Sequence, residues 1–533
     1  MKSMKKLLAI LLVVCLAFAS LMACGNEEGS QGTGSTAGVR ETAGDNDDKD
    51  TVSNETAGEA EAADGDEDVE WDEEPAQVTW MMWNVGGSFN EAGLQAVEDA
   101  INEITLKKIN VQVDLQLLEM GTYLSQMPMQ VGAGDKIDLI STFPAAAGAF
   151  NSMVNAGQLL PLDELLEEYA PETLETVPES VLKATTVDGQ IYAIPVYTDN
   201  TNDLAWICRE SYLTEAGFSI EDIKTVDDIT KVFEKVYELH PDMKMISSGA
   251  KSIFGSAGVL LNGVTYDTLG TTVLGVMVDE DAAKVVSLYE TDEFKDIAAT
   301  LRDWYEKGYV DKDIMVREDD PTSDNTVFSF LLAGNKTRTR GSEALAGEPL
   351  ASAIITEGCI STGTMTILTT AIPVCATEPE AAAALLNLCY TDKDLKMLVS
   401  YGIEGQNYEY AENGGISVKT DSSYAPNLTG IFGNVLLCDP TVSEVDMNYK
   451  MSDVDMDALN YSPLLGFSVD TDPISNEVSA ISSVYTEYQG LVYCGLADEA
   501  TYQEFIDKLY ANGLQVYMDE VQRQLDEWMG EQK

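Results

Sequence analysis

His240 is the only histidine in 533 residues. That single count removes several kinds of chemistry. A Ser-His-Asp or Cys-His nucleophile needs an imidazole base, and histidine-built metal sites need more than one imidazole. His240 precedes Pro241, at what reads as a helix end, where a solvated cap is the expected role. The run Asp453-Val454-Asp455-Met456-Asp457 imitates the start of a calcium loop. It has Ala458 where the sixth-place glycine belongs and Leu464 where the twelfth-place glutamate belongs, so an EF-hand is excluded. Beyond Cys15 and Cys24 the cysteines are Cys208, Cys359, Cys375, Cys389, Cys438 and Cys494. None has the Cys-x-x-Cys spacing of a zinc knuckle or redox motif. Gly132 and Gly134 precede a strand instead of opening a helix, and lack a third glycine at dinucleotide-loop spacing. A carboxylate pair for glycoside hydrolysis stays open, because among 91 acidic residues any one pair is uninformative. The expectation is a chain with no catalytic residues, no cofactor and no metal.

The elements that position everything else follow from periodicity. Val78 to Trp83 reads as a buried strand. Glu91 to Leu106 is an amphipathic helix with Leu94, Val97, Ile101 and Ile104 on one face. Asn110 to Leu118 is a strand alternating Val111, Val113, Leu115 and Leu117. Tyr123 to Val131 is helical, and Ile137 to Ile140 is a third short strand. Strand–helix–strand–helix–strand opens an α/β sheet of parallel strands. Ile191 to Tyr197 is a strand carrying Pro195, followed by the polar stretch Thr198 to Asp203. Proline in a strand belongs at an edge or crossing point, which suits a hinge where the chain leaves one lobe for another. Gly363 to Val374 is strand-like with Pro373, a return crossing, and Glu378 to Leu398 is helical. Asp472 to Trp528 reads as two or three acidic amphipathic helices.

The N-terminus has its own logic. Lys2, Lys5 and Lys6 precede an apolar run from Leu7 to Leu21, then Met22-Ala23-Cys24. A basic start, a short apolar middle and a small-residue cleavage point make a signal peptide, too short for a membrane span. Ala23-Cys24 resembles a bacterial lipobox, although Met22 stands where small or β-branched residues are commoner. That resemblance implies cleavage before Cys24, a diacylglycerol on its thiol, and a mature protein anchored by acyl chains without a transmembrane helix. Residues 24–75 hold 18 acids against Arg40 and Lys49, with almost no large apolar side chain. Such a segment cannot offset its ordering entropy and is expected to be a disordered, self-repelling tether. The formal net charge of −60 excludes nucleic acid as a partner and an electrostatic grip on anionic lipid.

Motif order then points to a family. Strand, helix and strand lead into Gly121-Thr122-Tyr123-Leu124 and Gly132-Ala133-Gly134-Asp135-Lys136-Ile137-Asp138-Leu139. Next come Gly157-Gln158-Leu159-Leu160-Pro161-Leu162-Asp163-Glu164-Leu165, Asp188-Gly189-Gln190-Ile191-Tyr192-Ala193-Ile194-Pro195 and Thr225-Val226-Asp227-Asp228. Trp304-Tyr305-Glu306-Lys307-Gly308-Tyr309 and Tyr401-Gly402-Ile403-Glu404-Gly405-Gln406-Asn407-Tyr408 follow. Together they resemble the extracellular solute-binding proteins, family 1, of ABC importers, in a branch with its own C-terminal region. The resemblance spans nearly all of 76–533. It implies a two-lobed periplasmic-binding-protein-like α/β fold (type II), with mostly parallel sheets flanked by helices and a hinge between lobes. The expected division is a leader at 1–23, the tether at 24–75, a first lobe of 76–197 plus about 372–420, and a second lobe of 198–371 plus about 421–533.

On this resemblance the chain is a monomeric receptor on the outer face of the cytoplasmic membrane. It takes a small-molecule solute, a carbohydrate such as an oligosaccharide, to an ABC permease. A peptide or other small polar solute, or a surface-anchored glycoside hydrolase, are the alternatives. A sugar site needs aromatic faces for C–H surfaces and amide, carboxylate or hydroxyl groups for the hydroxyl rim. Candidates at strand ends facing the cleft are Trp83, Tyr123, Phe143, Tyr197, Asn202 and Trp206. Glu404 joins them from its glycine-bounded loop. Trp80 and Trp83 are an odd number apart and cannot face the same side of a strand; Trp80 is assigned to the core and Trp83 to the cleft.

Overall fold

The computed structural model describes residues 74–531, except 85, 144–147, 202, 249–251, 254–265, 270–275, 280–282, 318–320, 334–345 and 447–449. The leader, Cys24 and the acidic segment to residue 73 lie outside the described residues, as does Asn202. In chain order the first lobe holds β1 (Ala76–Asn84), α1 (Glu91–Ile109), β2 (Val111–Glu119), α2 (Met120–Ala133), β3 (Leu139–Ser141) and β4 (Ile194–Pro195). The second lobe follows with β5 (Leu204–Arg209), α3 (Val226–Leu239), β6 (Lys244–Ile246), α4 (Asp292–Glu306), β7 (Val327–Ala333) and β8 (Leu350–Thr356). The chain returns to the first lobe for β9 (Thr369–Ala371), α5 (Pro379–Thr391) and α6 (Lys393–Tyr401). It ends on the second with α7 (Ser475–Tyr493), α8 (Glu499–Ala511) and α9 (Leu514–Glu531).

Local chemistry sets these boundaries. Asn90 caps α1 by accepting the Gly93 N–H at 2.9 Å, and Asn110 ends it in the left-handed region at φ 52°. Thr225 and Asp228 form a reciprocal capping box on α3. Along β2 every second residue from Val111 to Leu117 is buried, the period of a strand with one face inward. The helix expected from Glu378 to Leu398 is two helices. Asp392 has extended backbone and its carboxylate caps α6 by accepting the Leu395 N–H at 2.9 Å.

The first-lobe sheet has the order β2-β1-β3-β9-β4. Strand β1 is parallel to β2 and β3, whereas β9 is antiparallel to both β3 and β4. The second-lobe sheet has the order β8-β5-β7-β6, with β5 antiparallel to β8 and β7, and β7 parallel to β6. The sheets are therefore mixed, not mostly parallel. The reason is connectivity: β5 enters its sheet straight after an interlobe crossing, and β9 after a crossing and one short helix (Thr362–Met365), so both start at the edge where their neighbours end.

Two separate apolar cores define the lobes. The first gathers Val78 to Val196 with Ile360, Met365, Leu368, Leu386, Val399, Tyr424, Phe432 and Val435; the second gathers Leu204 to Ala353 with Phe467, Ile481, Phe505 and Leu525. This moves two boundaries read from sequence. The second crossing falls before Ile360, not near 372, and Pro373 pairs with Leu159 inside the first lobe. The third falls near Leu464 and Leu465, which pack into the second and first core respectively, not near 421. Apolar pattern marks a residue as buried but not which of two cores receives it.

Candidate ligand site at the lobe junction

Strand direction brings the functional ends together. Strands β1, β3 and β4 end at one edge of the first sheet, and β4 runs directly into the first crossing. Strand β5 starts at that crossing, so its antiparallel neighbours β7 and β8 end there, and β6 with them. The carboxyl ends of six strands from two cores thus converge on the junction. In open α/β sheets ligands sit in the crevice outside such ends.

Three crossing segments, near 197–203, 356–362 and 458–465, are tied side by side. Tyr197 donates its N–H to Gly433 O and its carbonyl accepts the Val435 N–H, both at 3.0 Å. The Asp203 carboxylate accepts the Gly358 N–H at 2.9 Å, joining the first crossing to the second. Ile360 donates its N–H to Asn460 O at 2.7 Å and accepts the Ser462 N–H at 2.8 Å, joining the second to the third. Ser462 in turn donates to the buried Asp267 carboxylate at 2.6 Å, on the short second-lobe strand Tyr266–Asp267. Burial pushes the Asp267 carboxyl up.

The crossings also feel one another's charge. Burial, and then the charge of Asp457, raise the Tyr197 hydroxyl. The Tyr461 hydroxyl is pushed up to about 12 by burial first, with Tyr197, Asp457 and Asp199 adding to it. Half-buried Asp203 is raised by burial, against the pull of the Gly358 N–H.

An open groove of about 1500 Å³ lies along this junction on the second-lobe side. Asp199, Thr201 and Asp203 line it from the first crossing, Glu357 and Gly358 from the second, and Ala458, Leu459 and Asn460 from the third. The β8 strand from Leu350 also lines it, as do Glu210, Glu221, Lys224 and Glu348. Asp199 is held by its own turn, its carboxylate accepting the Thr201 hydroxyl at 2.8 Å. Carboxylate, hydroxyl and amide groups in this setting can accept and donate hydrogen bonds to a polyol.

The aromatic candidates are placed differently from expectation. Trp83, Tyr123 and Phe143 do come together: the Trp83 ring meets Phe143 edge-on at 4.8 Å and lies 6.5 Å from Tyr123. Their cluster is interior, with Trp83 1% and Tyr123 0% exposed, and the Tyr123 hydroxyl donates to Ser141 O. Trp83 therefore offers no face to the groove. Trp80 and Trp83 are an odd number apart on β1, but both faces of β1 are covered, Trp80 packing edge-on to Phe432 at 5.4 Å. Trp206 is 0% exposed, packed on Phe328 and Phe233 in the second core. It packs on the helix-covered face of β5 and does not line the groove.

Tyr197 sits in the first crossing, 7% exposed. Glu404 is exposed on a turn between Gly402 and Gly405, both at positive φ, and does not line the groove. Sequence reading missed Asp199, Asp203, Glu357 and Asn460. The polar stretch before β5 was the signal for the first two; the last two are brought in by tertiary pairing alone. Among the described residues no group of three or more His, Cys, Asp or Glu could hold a metal. Among the described residues no disulfide joins the six cysteines, and all but the half-buried Cys375 are buried. No helix of the described residues is long and apolar enough to cross a membrane.

Comparison with known proteins adds three findings. The profile of the family described as bacterial extracellular solute-binding protein matches residues 86–395, and one described as a domain of unknown function (DUF3502) matches 463–530. A carbohydrate ABC transporter substrate-binding protein of Streptococcus pneumoniae is 24% identical over 448 residues, covering 81% of this chain and 87% of that protein. The crystal structure of the N-glycan transport solute-binding protein NgtS of S. pneumoniae superposes with a TM-score of 0.72 at 22% identity, covering 86% of this chain and 100% of that one. The same protein in complex with Man1GlcNAc gives 0.65 at 22% identity, over 85% and 100%.

Proposed function

Because the chain belongs to the bacterial extracellular solute-binding protein family, we propose that it is the carbohydrate receptor of an ABC importer, held outside the cell by acyl chains on Cys24. The observation that carries this reading is the convergence of six strand ends from two separate cores on three laterally tied crossings. That architecture suits a clamp. Two rigid lobes rotate about a short hinge and enclose a solute, and the closed form presents both lobe surfaces to a permease. Asp199, Asp203, Glu357 and Asn460 supply hydrogen-bonding groups at the hinge side of the enclosed space. Similarity to a carbohydrate-transport protein and to a structure holding Man1GlcNAc supports a sugar as the solute. The receptor catalyses nothing; ATP is hydrolysed by its partners. The basic-then-apolar leader ending at Ala23-Cys24 supports the lipid anchor, and we read the receptor as a monomer.

A thermal-shift screen of the mature chain against N-glycan fragments, other oligosaccharides and peptides tests the reading. A true ligand at about 100 Kd stabilises by about 2.7 kcal/mol if only the folded state binds. A shift with peptides and none with glycans would replace the sugar by a peptide. Release of shortened glycan, abolished by a carboxylate substitution, would make the protein a hydrolase instead.

A further inference from the structure

The C-terminal region, residues 463–530, contributes no residue to the groove at the junction. Its three helices are not a separate domain. Ile481, Val484, Tyr488, Phe505, Leu509 and Leu525 lie in the second core with Leu288, Phe294 and Leu301. What stands out is α9. Gln522 accepts the Val285 N–H at 2.8 Å and donates to Ala283 O at 3.2 Å, which fastens the helix to a second-lobe strand edge. Two residues on, Gln524 accepts the Asp470 N–H and donates to Asp470 O, both at 2.8 Å. Trp528 packs on Phe467 with ring centroids 5.7 Å apart. One helix thus holds the second lobe with one glutamine and the end of the third crossing with the next.

Before Gly466 the crossing is held by both lobes: Leu464 packs in the second core and Ser462 donates to Asp267, while the first lobe holds the next two residues. Gly466 donates its N–H to Thr362 Oγ1 at 2.8 Å, and Leu465 is in the first core. Gly466 has φ +103°, and an added Cβ would lie 3.2 Å from Lys183 O and 3.7 Å from the Trp528 ring. Only glycine suits that backbone and that space. From Phe467 onward the chain is held by the second lobe, with Phe467 in its core and Asp470 on Gln524.

We propose that residues 463–530 form a brace that makes the third crossing beyond Gly466 move with the second lobe, and that Gln524 and Trp528 are positioning residues that set the angle between lobes. The brace confines rotation at this crossing to the stretch that ends at Gly466. The brace acts without ligand, whatever solute the receptor takes.

The test uses the full mature chain carrying Gln524→Ala or Trp528→Ala, with Gln503→Ala as control, since Gln503 bonds only Asp507 on the exposed face of α8 among the described residues. Two measurements are made without ligand: amide exchange across 467–472, and small-angle scattering for the spread of lobe arrangements. Expected is at least a tenfold rise in exchange at 467–472, with 481–492 at wild-type rates, and a broader scattering distribution. Gln524→Glu keeps the acceptor for the Asp470 N–H and loses the donor, so it should fall between. If Trp528→Ala fails to fold, the glutamine variants carry the test. Exchange and scattering no different from Gln503→Ala would overturn the proposal. So would faster exchange with unchanged scattering, because packing would then be local and without effect on the lobes.

Discussion

Trp83 shows how burial decides a residue's role. Three positions from Trp80 on β1, it faces the opposite side of the sheet, yet both are interior because α/β sheets carry cover on each face. Trp83→Ala should cost about 3–5 kcal/mol of stability in denaturant unfolding, with folded protein still binding. Lost affinity at normal stability would return Trp83 to the site. Lys396 is a second case. Its ammonium is buried, donates to Thr429 O at 2.8 Å and Phe432 O at 2.6 Å, and lies 3.6 Å from the Phe432 ring centroid. Burial lowers it to about 8 from 10.5, against the opposing pull of Cys438 and Cys389. Between those values the unfolded chain binds the proton that the folded chain has released, so this group makes stability rise with pH across pH 8 to 10.5. Lys396→Met should lose that contribution. The wild-type stability minus that of Lys396→Met should grow by about 3 kcal/mol over the window, measured by urea unfolding at several pH values. A constant difference would mean that the buried amine titrates normally.

At the scale of elements, the helices and first strands were legible because their periods are local. Strand β2 alternates as read, and α1 buries Val97 and Ile101 with Leu94 and Ile104 half-buried on the same side. The stretch Gly363 to Val374 was misread. It begins with a short helix, Thr362–Met365, capped by Ser361, and only Thr369–Ala371 is strand. A capping Ser-Thr pair competes with strand pairing over so few residues, and local pattern cannot weigh the two. Element packing also hangs on single glycines. Gly495, in the turn from α7 toward α8, has φ +75°, and an added Cβ would lie 2.1 Å from Leu301 O on α4. Gly495→Ala should therefore destabilise by about 3 kcal/mol or more, since strain at a positive φ adds to a backbone clash. A melting temperature within a degree of wild type would show that the turn can move away from α4.

At the scale of the whole molecule, a hinged pair of lobes predicts motion. Saturating glycan should lower the radius of gyration by scattering, and an unchanged value in a chain that binds would refute closure. Deleting residues 30–70 should alter the unfolding free energy by no more than about 0.5 kcal/mol, as a tether with few packed contacts implies. A large loss would show that the acidic segment docks on the lobes. Cys24→Ser should leave the protein as unprocessed precursor or shed material, and full membrane retention would remove the lipid anchor.

The sequence by itself determined what depends on residue type and near neighbours. One histidine excluded imidazole chemistry, the Ala23-Cys24 leader set an expected address, and ordered motifs from Gly121 to Tyr408 pointed to a two-lobed receptor. Only the tertiary structure decided which core receives each apolar segment, why β5 and β9 run against their neighbours, and that Asp203, Glu357 and Asn460 meet. The last three are more than 100 residues apart along the chain from first to second and second to third. Nothing in a local period records a hydrogen bond such as Asp203 to Gly358, because that contact exists only once both lobes have folded and the crossings have been brought side by side.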